Sequence, residues 1–223
     1  MTGLRAEQPG PETGSPGQRR STYRHGDLRR ALLEAGLEMA RAGGPDAVVL
    51  REATRRAGVA PNAAYRHFAD RDALLHAVCS SAQSALAIAI ETELAAVPAD
   101  GDPVAQARAH LRAVGTGYLR FARAEPGLFR TAVSVPADLT TATSPDKGGH
   151  SGHSPFALLA GALDQLVEVG ALPARRRPQA EFLAWSAVHG LATLLIDGPL
   201  RSVDDAEAAH VGQLLLDMVE KGL

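Results

Sequence analysis

The sequence predicts an all-α protein of about nine helices, with a three-helix head at its N-terminal end and a larger helical body behind it. Three observations carry that expectation. Apolar residues recur at intervals of three and four, no stretch keeps the alternation of a half-buried strand, and Pro or Gly punctuates most junctions. With 223 residues and 45% hydrophobic content, the chain can fill a small domain and a medium one.

Residues 1–18 are rich in Pro and Gly and nearly free of large apolar side chains, so they are expected to form a disordered tail. Periodicity begins at Asp27: Leu28, Ala31, Leu32, Ala35 and Met39 share one face, and Gly43-Gly44-Pro45 ends the helix. A short helix is expected from Leu50 to Ala57, closed by Gly58. Another runs from Pro61, a residue suited to a first helical position, to about Phe68. Asp70 fits an N-cap, with Asp72 in the first turn, for a long helix reaching Ala96.

Pro98 to Pro103 reads as a linker, followed by a helix from Pro103 to Ala124 and a short one over Leu128–Val133. From Pro136 to Pro155 periodicity disappears, which predicts either disorder or a lid over a site. Helices at Pro155–Val169, Arg177–Ile196 and Asp204–Lys221 complete the chain. The expected divisions are a tail at 1–18, a head at 19–78 and a body at 79–223.

Charge separates head from body. From Arg19 to Val78 there are eleven Lys and Arg against seven Asp and Glu, a net of +4. From Cys79 to Leu223 there are eleven against sixteen, a net of −5, within an overall charge of −2. A basic head on an acidic body fits a polyanionic partner for the head, although an ordinary solvated surface can carry +4. No apolar run approaches the roughly 20 residues of a membrane helix, and the first residues lack a secretory h-region. The lone Cys79 cannot form an internal disulfide. These features predict a soluble, cytoplasmic protein without a membrane partner.

The most informative stretch is Leu50 to Leu75, LREATRRAGVAPNAAYRHFADRDALL. Two short helices meet at Gly58-Val59, where Gly supplies the positive φ of a tight turn and Val59 can fill the angle. The second helix carries Asn62, Arg66 and His67 with Tyr65 beside them, a donor-rich surface suited to phosphates and base edges. The pattern alone also fits a plain three-helix bundle with Tyr65 and Phe68 as core aromatics.

These residues carry a resemblance as well. YRHGDLRRALLEAG, LREATRRAGV and YRHFADRDALLHAV, covering Tyr23 to Val78 without a gap, resemble the head of the tetracycline-repressor (TetR) family of bacterial regulators. Trp185, His189 and Gly190 in AWSAVHGLATLLIDG resemble the C-terminal signature of the subgroup named after its Trp-His-Gly pattern. The resemblance implies a helix-turn-helix whose last helix enters the major groove of an operator in double-stranded DNA. Carried over, Arg51 would reach a base, and Pro61, Asn62, Ala63 and Arg66 would face the groove. Tyr65, His67 and Arg71 would contact phosphates, and Arg19, Arg20 and Arg24 would form a basic arm. Three departures stand out: Val49 and Ala60 replace frequent capping Ser or Thr, and Thr54 replaces a frequent Ala. A lost cap costs about 1 kcal/mol. Small Ala63 implies apolar contact with a base, such as a thymine methyl.

In the body, Phe182, Trp185, His189, Ala192 and Ile196 recur at a 3-4-3-4 spacing, and Val211, Leu215 and Met218 do the same on the last helix. This is more apolar surface than one buried face needs, so a homodimer seam of Ala192, Ile196, Val211, Leu215 and Met218 is expected, against the alternative of a thick monomer core. The resemblance implies a four-helix interface there. It also implies an effector pocket, for which Tyr118, Phe121, Phe129, Trp185 and His189 are the candidates, with Gly115 and Gly117 leaving room. His189 also fits a satisfied core position. No charged residue marks the pocket, so an apolar or amphipathic small molecule is expected.

His150 and His153 lie in a Gly/Ser loop without other ligand types nearby, and no metal or cofactor is predicted. Nucleophile motifs, paired acids and phosphate loops are absent, so the chain is not expected to be an enzyme. The expected function is a ligand-released regulator, in the repressing mode common in that family, acting as a homodimer on a palindromic operator. The alternative is a structural DNA-binding protein without sequence preference, for which a body of about 145 residues would be superfluous.

Overall fold

The computed structural model describes residues 25–99, 101–134 and 141–223. Arg19, Arg20 and Arg24 of the expected basic arm, and the expected tail, lie outside the described residues. Among the described residues there are nine α-helices and no strand. They are α1 His25–Gly43, α2 Leu50–Arg56, α3 Pro61–Ala64, α4 Arg71–Ala95, α5 Pro103–Ala124, α6 Pro126–Ala132, α7 Pro155–Glu168, α8 Ala180–Ile196 and α9 Asp205–Gly222.

Capping sets several of these boundaries. Asp70 accepts from the Ala73 N–H at 2.8 Å, Asp102 from Ala105 at 2.9 Å, and Asp204 from Glu207 at 2.8 Å. Pro occupies the first turn of α5, α6 and α7, so α6 begins two residues earlier than its apolar pattern indicates. α8 begins later than expected, at Ala180. Arg177 closes a short 3-10 turn at Ala174–Arg176, and Gln179, at the N-cap, takes a left-handed φ of 66°. Arg177 also staples the end of α7 to the start of α8, through Asp164 at 2.7 Å and Glu181 at 2.7 Å.

α4 is the axis of the molecule, packing against α1, α5, α6 and α7. Contrary to the expectation from uninterrupted apolar runs, it is by length and composition apolar enough to cross a membrane. Its apolar character is accounted for by the core it builds: Leu74, Val78, Ala82, Leu86, Ala87 and Ile90 are all buried between helices. The head core of Leu32, Met39, Val48, Ala53, Ala64 and Phe68 is continuous with it.

A second connection between head and body runs through α6, which packs against both α1 and α4. A Cβ at Gly127 would collide with the carbonyl oxygens of Ala40 and Arg41, so the start of α6 lies directly on the last turn of α1. Arg41 adds an ion pair to Glu125 at 3.4 Å.

Of the segment before α7, residues 135–140 lie outside the described residues. Residues 141–154 form an ordered strap along α4, with a short 3-10 turn at Pro145–Lys147. Glu91 on α4 accepts from the backbone N–H groups of His150 at 2.8 Å and Ser151 at 3.0 Å, and from the Ser151 hydroxyl at 2.5 Å. The Ser84 hydroxyl donates to the Gly148 carbonyl at 2.6 Å. Burial raises the Glu91 pKa, but the bonds from Ser151 and His150 outweigh it and hold the carboxyl below its ordinary range.

Candidate functional site

Two places on this framework hold the residues singled out by sequence: the exposed face of α2–α3 and a cavity inside the body. At the head, Gly58 sits between the two helices with φ 68°, a left-handed conformation that L side chains rarely adopt. α3 has four residues and continues only as a tight turn, with the His67 N–H donating to the Ala64 carbonyl at 2.8 Å. Val49 and Ala60 stand at the N-caps of α2 and α3, and neither makes a side-chain cap bond. Packing holds the pair instead: Ala53, Ala64 and Phe68 are buried, and Arg29 lies 5.2 Å over the Phe68 ring.

Arg51, Pro61, Asn62, Tyr65 and Arg66 are exposed, whereas Ala63 and His67 are half-buried. Tyr65 is 58% exposed, so it is not the core aromatic that the plain-bundle reading requires, whereas Phe68 is. Neighbouring cations are already engaged. Glu52 binds Arg55 at 2.7 Å and Arg56 at 2.9 Å, and those hydrogen bonds lower its pKa to about 2. Thr54 turns its hydroxyl back to the Arg51 carbonyl at 2.7 Å.

Arg71, expected at a phosphate, also makes bonds within the head. Its Nε donates to the Val48 carbonyl and its NH2 to the Pro45 carbonyl, both at 2.9 Å, while NH1 lies 3.5 Å from Asp72. The guanidinium thus ties the start of α4 to the turn ahead of α2. Two of its five N–H donors are used there, and the side chain remains 42% exposed.

The body encloses a cavity of about 450 Å³ among α4, α5, α7, α8 and α9, with Ala142 of the strap on its wall. Its lining is mostly aliphatic, from Leu86, Ile90, Leu111 and Leu159 among others, which matches the usual composition of small-molecule sites. Tyr118, Trp185 and His189 meet there. The Trp185 indole N–H donates to the Tyr118 oxygen at 3.2 Å, and that hydroxyl lies 2.9 Å from His189 Nδ1. Burial pushes the Tyr118 pKa up to about 12, the Trp185 bond opposing it, and burial pushes His189 below its ordinary value. In both cases burial disfavours the charged form.

The other pocket candidates sit differently. Phe129 is fully buried behind the lining, its ring centroid 5.3 Å from Tyr118 and 5.8 Å from His189. Phe121 is buried on α5 but is not on the cavity wall. Gly115 lines the cavity, whereas Gly117 faces the α4 backbone at Ile90 and allows a close helix crossing. Arg112 is the charged lining residue that sequence reading overlooked. It is engaged on α9 by Asp217, by Glu220 at 3.4 Å and by Gln213 at 2.6 Å. Only the fold brings α9 to Arg112, so no local signal marked it.

A second, more open groove of about 730 Å³ is lined by Arg120, Arg123, Arg130 and Arg201. The first three are paired with Glu93, Asp205 and Asp197 respectively. Among the described residues, no group of three His, Cys, Asp or Glu could hold a metal ion.

The expected seam requires one correction. Ala192 is 0% exposed and faces its own protomer's core, while Ile196, Val211 and Leu215 are half-buried against that core. Of the five seam residues only Met218 is open, at 59%. The exposed apolar stripe consists of Leu183 and Leu194 on α8 and Leu214 and Met218 on α9, with Gly190 between the α8 pair. Two apolar stripes share these helices, and spacing alone does not say which one the protomer buries.

Residues 32–78 match the family model for bacterial regulatory proteins of the tetR family, and residues 111–219 match the tetracyclin repressor-like C-terminal domain. Solved structures share the whole architecture. A protein of unknown function from Rhodococcus sp. RHA1 is 26% identical with a TM-score of 0.69, over 92% of this chain and 99% of that one. A TetR family transcription regulator from Marinobacter aquaeolei VT8 is 21% identical, TM-score 0.58, over 87% and 94% of the two chains. The transcriptional regulator FadR from Bacillus subtilis, solved with stearoyl-CoA, is 15% identical, TM-score 0.62, over 87% and 98%. No curated protein matches the sequence. With both of its domains matched in order, and a helix-turn-helix joined to an all-helical body, the chain belongs to the tetR family of bacterial transcription regulators.

Proposed function

We propose that the protein is a cytoplasmic, one-component repressor that binds a palindromic operator as a homodimer and is released by a small molecule held in the body cavity. The observation that carries this reading is the joining of the two sites. Exposed Arg51, Asn62, Tyr65 and Arg66 on the head connect through α4 and α6 to the wall of the cavity. Arg51 and Asn62 are the base readers, with Pro61 and Ala63 in apolar contact, and Tyr65, Arg66 and His67 meet the backbone and groove edge.

Two protomers pair through the exposed stripe of Leu183, Leu194, Leu214 and Met218, which sets the spacing of the two heads. Half-sites then lie about 34–36 Å apart, or a multiple of that. A ligand seated against Tyr118 and His189 presses on Phe129 behind them, and α6 and α4 pass the movement to α1. The ligand shifts the equilibrium only by as much as it prefers the non-DNA conformation.

The test is enrichment of random-sequence duplexes by the full chain. A two-fold symmetric site, bound about 10³-fold or more above random DNA at physiological salt, supports the reading. Equal affinity for enriched and random duplexes at every salt concentration overturns it in favour of a structural DNA-binding protein.

A further inference from the structure

We infer that the cavity selects an uncharged, largely apolar molecule carrying one hydrogen-bond acceptor, such as a ketone or ester carbonyl, and that His189 Nε2–H is the donor that reads it. This rests on the cavity being a ligand site, as proposed above. Trp185 can only donate, so the Tyr118 oxygen accepts from it at 3.2 Å. Tyr118 is 6% exposed, and its one hydroxyl proton must find an acceptor in the wall. His189 Nδ1, at 2.9 Å, is that acceptor. A neutral imidazole accepting at Nδ1 carries its proton on Nε2. That nitrogen has no hydrogen-bond partner among the described residues, and His189 lines the cavity. Trp185 and Tyr118 therefore fix the tautomer and leave one N–H donor on a residue of a largely apolar lining.

The lining also disfavours charged ligands of either sign. It contains no carboxylate to receive a cation. Its guanidinium, Arg112, is already held by Asp217, Glu220 and Gln213. An anion there would compete with two carboxylates already on the guanidinium, which lowers its gain from that charge.

Trp185 is the protein's single tryptophan and lies on the cavity wall, so its emission reports occupancy. The experiment titrates the full chain with 2-decanone, decanoate and decylammonium, each below its aggregation concentration. The expected result is tightest binding of 2-decanone. His189→Phe should weaken the ketone roughly three- to tenfold, the worth of one net hydrogen bond, and leave decylammonium, which has no acceptor, unchanged. Should His189→Phe fail to fold by circular dichroism, Tyr118→Phe, which frees the tautomer, must weaken the ketone instead. Decanoate or decylammonium binding as tightly as 2-decanone, or a ketone affinity indifferent to the folded variant, overturns the inference while leaving a ligand cavity in place. Failure of all three probes to perturb Trp185 overturns both the inference and the cavity's role as a ligand site.

Discussion

Arg51 and Arg71 carry the same charge on the same small head, but the structure spends that charge differently. Arg51 is exposed at the start of α2 and no carboxylate pairs with it among the described residues, whereas Arg71 is bonded to the carbonyls of Val48 and Pro45. Arg51→Ala should therefore cost about 1–3 kcal/mol at one operator position and relax specificity there, leaving thermal stability unchanged. Binding to a panel of single-base operator variants checks this, and equal losses on every duplex would remove Arg51 as a base reader. Arg71→Ala should also destabilise the head by about 1 kcal/mol, because the part-buried Val48 carbonyl loses a charged donor. Hydrogen exchange in α2 and α3 reads that loss without any DNA present. The sequence showed both arginines as cations at family positions. It could not show that one of them closes a contact across 23 residues of chain.

At the scale of elements, the sequence is most legible where a boundary is chemically local. Asp70 and Asp102 cap their own helices, and Pro103 and Pro155 open theirs, so α4, α5 and α7 lie within a residue or two of expectation. The strap over α4 was not legible, because its anchor Glu91 lies 59 residues before His150. The Glu91 carboxyl has a folded pKa below its ordinary value of 4.5. Its contribution is thus fully present above pH 4.5 and is lost as pH falls through the lower folded value. Protection factors of the His150 and Ser151 amides should drop through that acidic window. Glu91→Gln should lower them at neutral pH and abolish the pH dependence. An unchanged acid profile in that variant would mean another group holds the strap. The polar cluster of the cavity was legible as residue types but not as geometry. Helical spacing put Trp185 and His189 on one face, and only the packing of α5 against α8 brings Tyr118 to both.

At the scale of the whole molecule, the account requires two copies. Leu194→Glu combined with Leu214→Glu places charge on the exposed stripe, where a protomer alone tolerates it and a dimer seam does not. Light scattering should give a folded monomer, whereas an intact dimer would put the interface elsewhere. Ala192→Glu would be uninformative on this point, since it buries charge within one protomer. The central claim is that cavity and operator are linked through α4 and α6. The most direct test uses the enriched operator together with a molecule that shifts Trp185 emission on binding. Operator affinity is measured with and without that molecule, and the molecule's affinity with and without operator. A coupling of roughly 1–3 kcal/mol predicts a loss of about 5–150-fold, equal in both directions because linkage is reciprocal. A molecule that saturates the cavity and leaves operator affinity unchanged would contradict the account.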